Sequence, residues 1–348
     1  MKYCTVDEVK SALDVKASAY ADKQILRAIE SASRSIDGLT HRHFYPQTAT
    51  RYFDWPDPQP TPAQTLWLEQ HEVISVTTLT VGGVAIAASD YDLEPNGDGP
   101  PYDRIELDLS SSATFGGGST SQRTIALTAV YGYGSDTEAA GALAEALDGS
   151  ETGVDVTDSS LVGTGDTILI GTEYMTVTGR SMASTGVTIH SADSLTASAA
   201  DVSLTCSSAT GIPVVGETVL VDSERMLVVD AAGTTLTVRR AHDGTVLATH
   251  AALATIYALR TLTVVRGALG TTAAAHDTAT VVRRHAPPGL IRDLAIAEAI
   301  VRYEQEGAGY ARTVGSGEGE RNASLAGLAD LRRQTHRLYG RRARMRAI

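Results

Sequence analysis

Hydrophobic positions change their period twice along this chain. Near the start they recur every three or four residues, the spacing of one helix face. Thr5-Val6-Asp7-Glu8 matches a capping box, with Val6, Val9 and Leu13 marking one side of a short helix. Asp22 then opens a second helix whose stripe is Ile25, Ile29, Ala32 and Ile36, closed by Gly38. After Phe44-Tyr45-Pro46 the period drops to two. Arg104-Ile105-Glu106-Leu107-Asp108-Leu109 alternates polar with apolar, Val81-Gly82-Gly83-Val84 suits a tight hairpin, and residues 123–134 supply another strand after a glycine-rich loop at 116–119. Residues 51–134 thus predict a small antiparallel sheet packed on the N-terminal helices. Helical spacing returns after Pro287-Pro288, with Leu290, Leu294, Ala297 and Val301 closed by Gly307. Asn322 is placed to cap a last helix bearing Leu325, Leu328, Leu331 and Leu338.

Between these ends, residues 139–285 are nearly without helical pattern and repeat themselves. TILIGTEYMTV at 167–177 matches TVLVDSERMLV at 218–228, an offset of 51 residues. TLTVRRAHDGTVLATH at 235–250 recurs as TLTVVRGALGTTAAAH at 261–276, an offset of 26, with Arg240/Arg266, Gly244/Gly270 and His250/His276 in register. Unequal offsets exclude a solenoid of equal turns and point to compact β units that share or exchange pieces. The fold expectation is α+β: N- and C-terminal helices forming a helical frame with a small antiparallel sheet, plus an inserted all-β domain of short repeated strands. The frame is read as residues 1–138 and 286–348, the insert as 139–285 and an arginine-rich tail as 331–348. Frame elements read through on either side, so the insert is expected to be excisable.

Charge is distributed unevenly. The stretch from Leu331 to Ile348 holds Arg332, Arg333, Arg337, Arg341, Arg342, Arg344 and Arg346 and no acid; with −12 on the whole chain, this +7 tail leaves −19 on the preceding 330 residues. An acidic body disfavours wrapping nucleic acid, because binding there depends on many phosphate neutralisations. No apolar run approaches the ~18 residues of a membrane span. Asp7 and Glu8 interrupt the start, so no signal peptide is read and a cytoplasmic site of synthesis is expected. Cys4 and Cys206 lack metal-type spacing and read as buried reduced thiols.

Candidate chemistry is sparse. No nucleophile elbow, zincin or phosphate-loop motif occurs, and the glycines at 315–319 follow no strand. His41 and His43 could face one side of an extended segment as metal ligands, but no third ligand stands at a convincing position. His250 and His276 recur after a Gly-Thr turn, which favours a structural role such as capping that turn. Asp54, Asp57, Asp90, Asp92 and Glu94 read as solvated loop acids. No catalytic residue, metal or cofactor is expected. The arginine tail has two readings, holding phosphates or docking on an acidic protein partner through bidentate guanidinium–carboxylate contacts; the acidic body favours docking, and the seven arginines are the candidate partner-docking residues.

The string YCTVDEVKSAL, the helix ending SASRSIDGLTHRHFYP, TRYFDW, VTTLTVGGVAIAASDYDLEP, PYDRIELDL, LTAVYGYG and PPGLIRDLAIAEAIVRYEQ together resemble the head–tail connector (adaptor) family of long-tailed bacteriophages. The likeness covers about residues 3–134 and 286–348, and the 139–285 insert departs from it. The resemblance implies a non-enzymatic virion protein of the phage neck, made in the host cytoplasm. Copies would form a homo-oligomeric ring, usually of twelve, that docks beneath the portal protein and continues the DNA channel. A downstream head-completion or tail-terminator protein would be its other neighbour, and DNA would pass without specific binding. Two other readings stay open: a tail, fibre or baseplate component whose β repeats bind a host surface, and a DNA-binding or nuclease accessory.

Overall fold

The computed structural model describes residues 1–13, 22–56, 63–97, 99–307, 313–314, 321–322 and 326–341. It divides into two units. One comprises Met1–Ser33, Thr137–His285 and Ala295–Ser324, the other Arg34–Asp136, Ala286–Leu294 and Leu325–Ile348. The chain is mostly β, which corrects the expected helical frame with a small sheet. The helices among the described residues are α1 (Val6–Ala12), α2 (Asp22–Thr40), α3 (Gly289–Gly307) and α4 (Ala326–Tyr339). The β-branched and alternating stretches between them build far more structure than helical periodicity at the two ends suggested.

In the second unit, β1 (Gln47–Phe53), β3 (Val73–Val81), β4 (Val84–Ile86) and β7 (Ile125–Tyr131) form an antiparallel sheet in the order β1-β7-β3-β4. The short strands β2 (Thr65–Trp67), β5 (Tyr91–Glu94) and β6 (Arg104–Leu107) form another, ordered β2-β6-β5. Alternation does what the sequence implied: Ile125, Leu127, Ala129 and Tyr131 are buried, and they share a core with Leu79, Val81, Ile105, Leu107 and Phe115. Gly82 and Gly83 turn the β3–β4 hairpin at φ 58° and 84°, a mirror-image turn that side chains disfavour.

The first unit holds a ten-stranded antiparallel sheet. Its strands are β8 (Thr137–Ala142), β9 (Gly153–Asp155), β10 (Thr167–Ile170), β11 (Glu173–Thr188), β12 (Ser203–Thr205), β13 (Thr218–Val221), β14 (Glu224–Ala232), β15 (Thr235–Arg239), β16 (Thr255–Ala268) and β17 (Val281–His285). The sheet is one pattern used twice. In the second copy β14 pairs β15 through Val228↔Val238 and Leu227↔Arg239; the first copy repeats this register as Val177↔Val264 and Thr176↔Val265. Ser203↔Thr237 corresponds to Gly153↔Thr263, and Val219↔Ala258 to Ile168↔Arg284. Leu195↔His250 corresponds to Leu147↔His276.

The second copy, roughly residues 183–258, is nested inside the first. It enters at the place where the first copy would close its own version of the β14–β15 hairpin. The long strands β11 and β16 therefore each serve both copies, one half apiece, with register irregularities at Ser181/Ala183 where the copies meet. Each copy keeps its own core. Ile168, Ile170, Met175, Val177, Leu262 and Val264 fill the first, and Val219, Val221, Met226, Val228, Leu236 and Val238 fill the second. Cys206 takes the place in the second core that Val156 holds in the first; Cys4 and Cys206 are both buried and form no disulfide.

α1 belongs to this β unit, although the sequence assigned it to the frame. Its capping box forms as read, Thr5 Oγ1 accepting from the Glu8 amide at 3.2 Å and Glu8 accepting from the Thr5 amide at 2.9 Å. The Val6 amide donates to Thr164 O at 3.3 Å, and Arg180 reaches Asp7 at 2.5 Å. A Cβ on Gly163 would sit 2.7 Å from Thr5 Cβ, so glycine is what lets the helix lie this close.

Three helical details differ from expectation. α2 runs through Gly38 to Thr40 and stops where His41 adopts φ 54°, since nothing crowds Gly38 to end it sooner. The buried face of α3 is Ile291, Leu294, Ala295, Glu298 and Ala299, one step round from the expected stripe; its apolar residues surround the helix too evenly for the period to select a face. Asn322 lies in a two-residue strand, β19 (Arg321–Asn322), paired with β18 (Thr313–Val314), and not at the cap of α4. No helix among the described residues is long and apolar enough to cross a membrane.

Candidate docking surface

α4 places the described tail arginines on different sides. Leu328 and Leu331 are half-buried and Thr335 is buried, whereas Leu338 is 60% exposed and falls off the expected stripe. Tyr339 takes the inner place instead, edge-on to Phe44 and Tyr133 with ring centroids 5.6 and 5.5 Å away. Gly340 follows, its amide on His336 O; a Cβ there would lie 2.3 Å from that oxygen.

Arg333 and Arg337 are exposed, and Arg333 pairs with Asp330 one turn back. Such an exposed pair contributes at most ~1 kcal/mol, so both cations remain available to a partner. Arg337 also sits in the last helical turn, where a cation complements the helix dipole. Arg332 and Arg341 turn inward. Arg332 Nη2 reaches Ser35 Oγ at 3.4 Å, and the Arg341 amide donates to Thr40 O at 3.0 Å. Arg342, Arg344 and Arg346 lie outside the described residues. The seven arginines thus divide into an outward pair, an inward pair and three beyond the described chain.

The strongest electrostatics lie elsewhere, in the nested sheet. Glu224, fully buried at the start of β14, receives Arg240 Nε on Oε1 and Nη2 on Oε2, both at 2.8 Å. The amides of Ala241 and Ala248 add donors at 2.8 and 2.9 Å, and His250 Nε2 lies 3.0 Å from Oε2. Arg240 spends its other protons on the carbonyls of Thr196, Asp201 and Ala248. Burial alone would raise the Glu224 carboxyl, but the Arg240 fork and the amides outweigh it and hold it at about 2.

The first copy builds the same knot. Arg266 Nε and Nη2 meet Glu173 at 2.8 Å each, the Gly267 and Ala274 amides donate at 2.9 and 3.1 Å, and His276 Nε2 stands at 3.0 Å. Arg266 reaches the carbonyls of Asp148, Glu151 and Ala274. Glu173 is likewise held at about 2, burial being overcome by Arg266 and His276. Each knot ties a loop of about ten residues and a distant turn to the first residue of a strand. The two histidines serve as the turn-fixing groups that their recurrence suggested. The glutamates were the missed partners, although the same alignment showed Glu173 and Glu224 in register.

A third carboxylate shows what a missing arginine changes, since the position that Arg260 holds in the second copy corresponds to Ala286 in the first. Glu217 reaches Arg260 with 2.8 Å on both oxygens, and the amides of Ser159 and Val214 complete it at 3.0 and 2.9 Å. Burial raises its carboxyl, yet Arg260 outweighs burial and leaves it lowered. The equivalent position in the first copy is Asp166. Its Oδ2 keeps the corresponding amide, Gly163 N at 2.8 Å, but its nearest guanidinium, Arg284 Nη1, stands off at 3.9 Å. Arg284 pairs instead with Glu138. Burial then dominates and pushes Asp166 up to about 7.

The remaining candidates stay apart. No group of three or more His, Cys, Asp or Glu among the described residues could hold a metal. His41 is exposed, and His43 Nδ1 lies 3.4 Å from Asp37. Asp54 accepts the Arg123 amide at 2.7 Å and so closes a turn. Asp57 lies outside the described residues. No protein-family model, curated protein or solved structure matches this chain.

Proposed function

We propose that this chain is a non-enzymatic structural protein of a phage neck, whose copies form a ring beneath the portal and join head to tail. The observation that carries the reading is the use made of charge. In the β unit the buried glutamates are saturated by an arginine fork and backbone amides, and two of them are held at about 2. A carboxylate fixed in that state braces a loop and is badly placed to exchange protons near neutral pH. Charge left exposed is segregated: −19 on the first 330 residues, against a basic end that begins on α4. An acidic body lets DNA pass with little adhesion, while Arg333 and Arg337 offer outward cations to an acidic neighbour.

The order of connector-like strings along the two ends supports the same reading. The nested sheet is then an ornament on that part, stiffened by its own knots. Negative-stain and cryo-microscopy of the purified protein and of the particle that contains it provide the test. Rings of identical copies, and density next to the portal, are the expected outcome. Density confined to the distal tail, with monomers in solution, would reject it in favour of a host-binding tail component.

A further inference from the structure

Three arginines of the second unit each keep a buried guanidinium N–H that no atom among the described residues accepts: Arg42 Nε, Arg51 Nε and Arg341 Nη1. Buried donors are paired in the great majority of cases, so a cluster of unpaired cationic ones indicates a missing acceptor. Arg42 and Arg51 line one small cavity of about 20 Å³ together with His43, His71, Tyr131 and the buried carboxylate of Glu72, which Arg42 already holds. The guanidinium carbons lie over aromatic rings, Arg51 4.6 Å from the Tyr131 centroid and Arg42 5.3 Å from that of Tyr133. A cation held over a ring can still donate from its N–H groups to an acceptor.

The local charge is not balanced. Glu72 is engaged by Arg42 at 3.0 Å, and Asp37 is engaged by Arg34 at 3.1 Å and His43 at 3.4 Å. Arg51 Nη1 points at His71 Nδ1, 2.8 Å away. A guanidinium only donates, so Nδ1 must accept and the imidazole is neutral, with its proton on Nε2. Burial, followed by Arg51, Arg341 and His43, lowers His71 to about 4. The neutral ring thus stands beside two arginines, Arg51 and Arg341, each with one buried N–H unfilled among the described residues.

We propose that Arg42, Arg51 and His71 form a binding site for a carboxylate group, with Arg341 adding its charge from the end of α4. A carboxylate is planar and offers two oxygens to two guanidinium edges, and a cavity with room for one or two water-sized atoms takes those oxygens while the rest of the group stays outside it. A phosphodiester carries two ester substituents that this cavity does not accommodate, and a polyanion would meet the repulsion of the acidic body. The carboxylate could come from an acidic side chain of a second copy, which this chain presents in abundance, or from a small free carboxylate. The site rests on the geometry of one unit and does not depend on the connector reading.

The test uses the full chain with ¹³C-labelled histidine, following the His71 ring signal from pH 3.5 to 7.5. Formate is the probe, with sodium chloride at matched ionic strength as the control. A bound carboxylate should favour the charged ring and raise the His71 pKa by about one unit, with a saturable formate dependence that chloride does not reproduce. Arg51→Met should raise the His71 pKa without any addition, because it removes a cation, and should abolish the formate response. Arg51→Lys keeps the charge and loses the fork, so binding should weaken severalfold. Fluorescence of Trp55 and Trp67, which lie in the same unit, checks that each variant is folded.

A formate response no larger than that of chloride, or tighter binding of inorganic phosphate than of formate, would overturn the proposal. Sedimentation in the same solutions identifies the source. Dissociation of an oligomer by formate assigns the native carboxylate to a neighbouring copy; saturation of His71 with unchanged association assigns it to a free small molecule. Monomers that still bind formate would remove the connector reading and leave this site standing.

Discussion

Replacing Glu224 with glutamine removes one negative charge from the centre of the second knot and changes almost nothing else in size. Arg240, whose side chain is only 2% exposed, then faces an amide. The amide NH₂ also points donors at groups that are themselves donors, the Arg240 fork and the Ala241 and Ala248 amides. Breaking a buried pair by removing one partner costs about 3–5 kcal/mol. A second route agrees: lowering the carboxyl from its ordinary 4.5 to about 2 corresponds to roughly 3 kcal/mol at ~1.4 kcal/mol per unit. The sign follows from the direction. A depressed carboxyl contributes stability that is fully present above its ordinary value and is lost as pH falls toward its folded value. The difference between wild type and Glu224→Gln should therefore be about 3 kcal/mol at pH 7 and shrink between pH 4.5 and 2. Both tryptophans lie in the other unit, so the assay is denaturant unfolding by far-ultraviolet circular dichroism, with amide exchange over residues 240–250. Glu173→Gln should behave alike at the lower end of the range, since Arg266 is more open at 7%. A loss below ~1 kcal/mol at pH 7, or a difference that persists unchanged at pH 2.5, would refute the assignment of these knots as buried charge-paired braces.

Asp166 should act in the opposite direction. Its raised carboxyl makes the folded state less stable as pH climbs from about 4 to 7, so Asp166→Asn should flatten that slope and gain on the order of 1–3 kcal/mol at pH 8, read by thermal unfolding across pH; an unchanged slope would count against it. Changing Arg333 and Arg337 together to serine should leave the melting temperature within a degree or two, because exposed charges contribute little, while abolishing assembly onto portal-bearing heads; full complementation would exclude α4 as the docking element. Replacing residues 140–284 with a Gly/Ser linker should leave β1–β7 protected from hydrogen exchange but expose α1, which loses Thr164 and Arg180; continued protection of residues 3–12 would show that α1 is held by something else.

Particular residues show how far the sequence could be read. Strands with strict alternation, such as residues 125–131, were legible because burial on one face forces period two. The helix faces of α1 and α2 were legible because their apolar residues are few and regularly spaced. α3 was not, since alanines surround it and leave several faces equally apolar. The repeats were visible as strings, and so were the aligned Glu173/Glu224, Arg266/Arg240 and His276/His250. Their convergence on one point was not, because it depends on strand pairings that bring together residues 93 and 103 positions apart in the first copy. The overall balance of helix and sheet was misjudged because helices announce themselves by long periodic runs, whereas three- and four-residue strands do not. The Arg42–Arg51–His71 cavity was hidden for a related reason: its members stand on separate elements and carry no motif.

Nesting also imposes an order of events on a growing polypeptide. The inner copy is continuous in sequence and can close its sheet once residue 258 has been made. The outer copy cannot, because β11 must wait for the far half of β16, about 80 residues later. At ~5–20 residues per second of synthesis, the first half of β11 stays without its β16 partner for about 4–16 seconds, and β8 waits longer still for β17. At the end of that interval the inner copy, complete once residue 258 is made, holds the ends of β11 and β16 side by side, which shortens the loop still to be closed to almost nothing and removes most of its entropic cost. The inner copy thus serves the outer one as a template for its own completion.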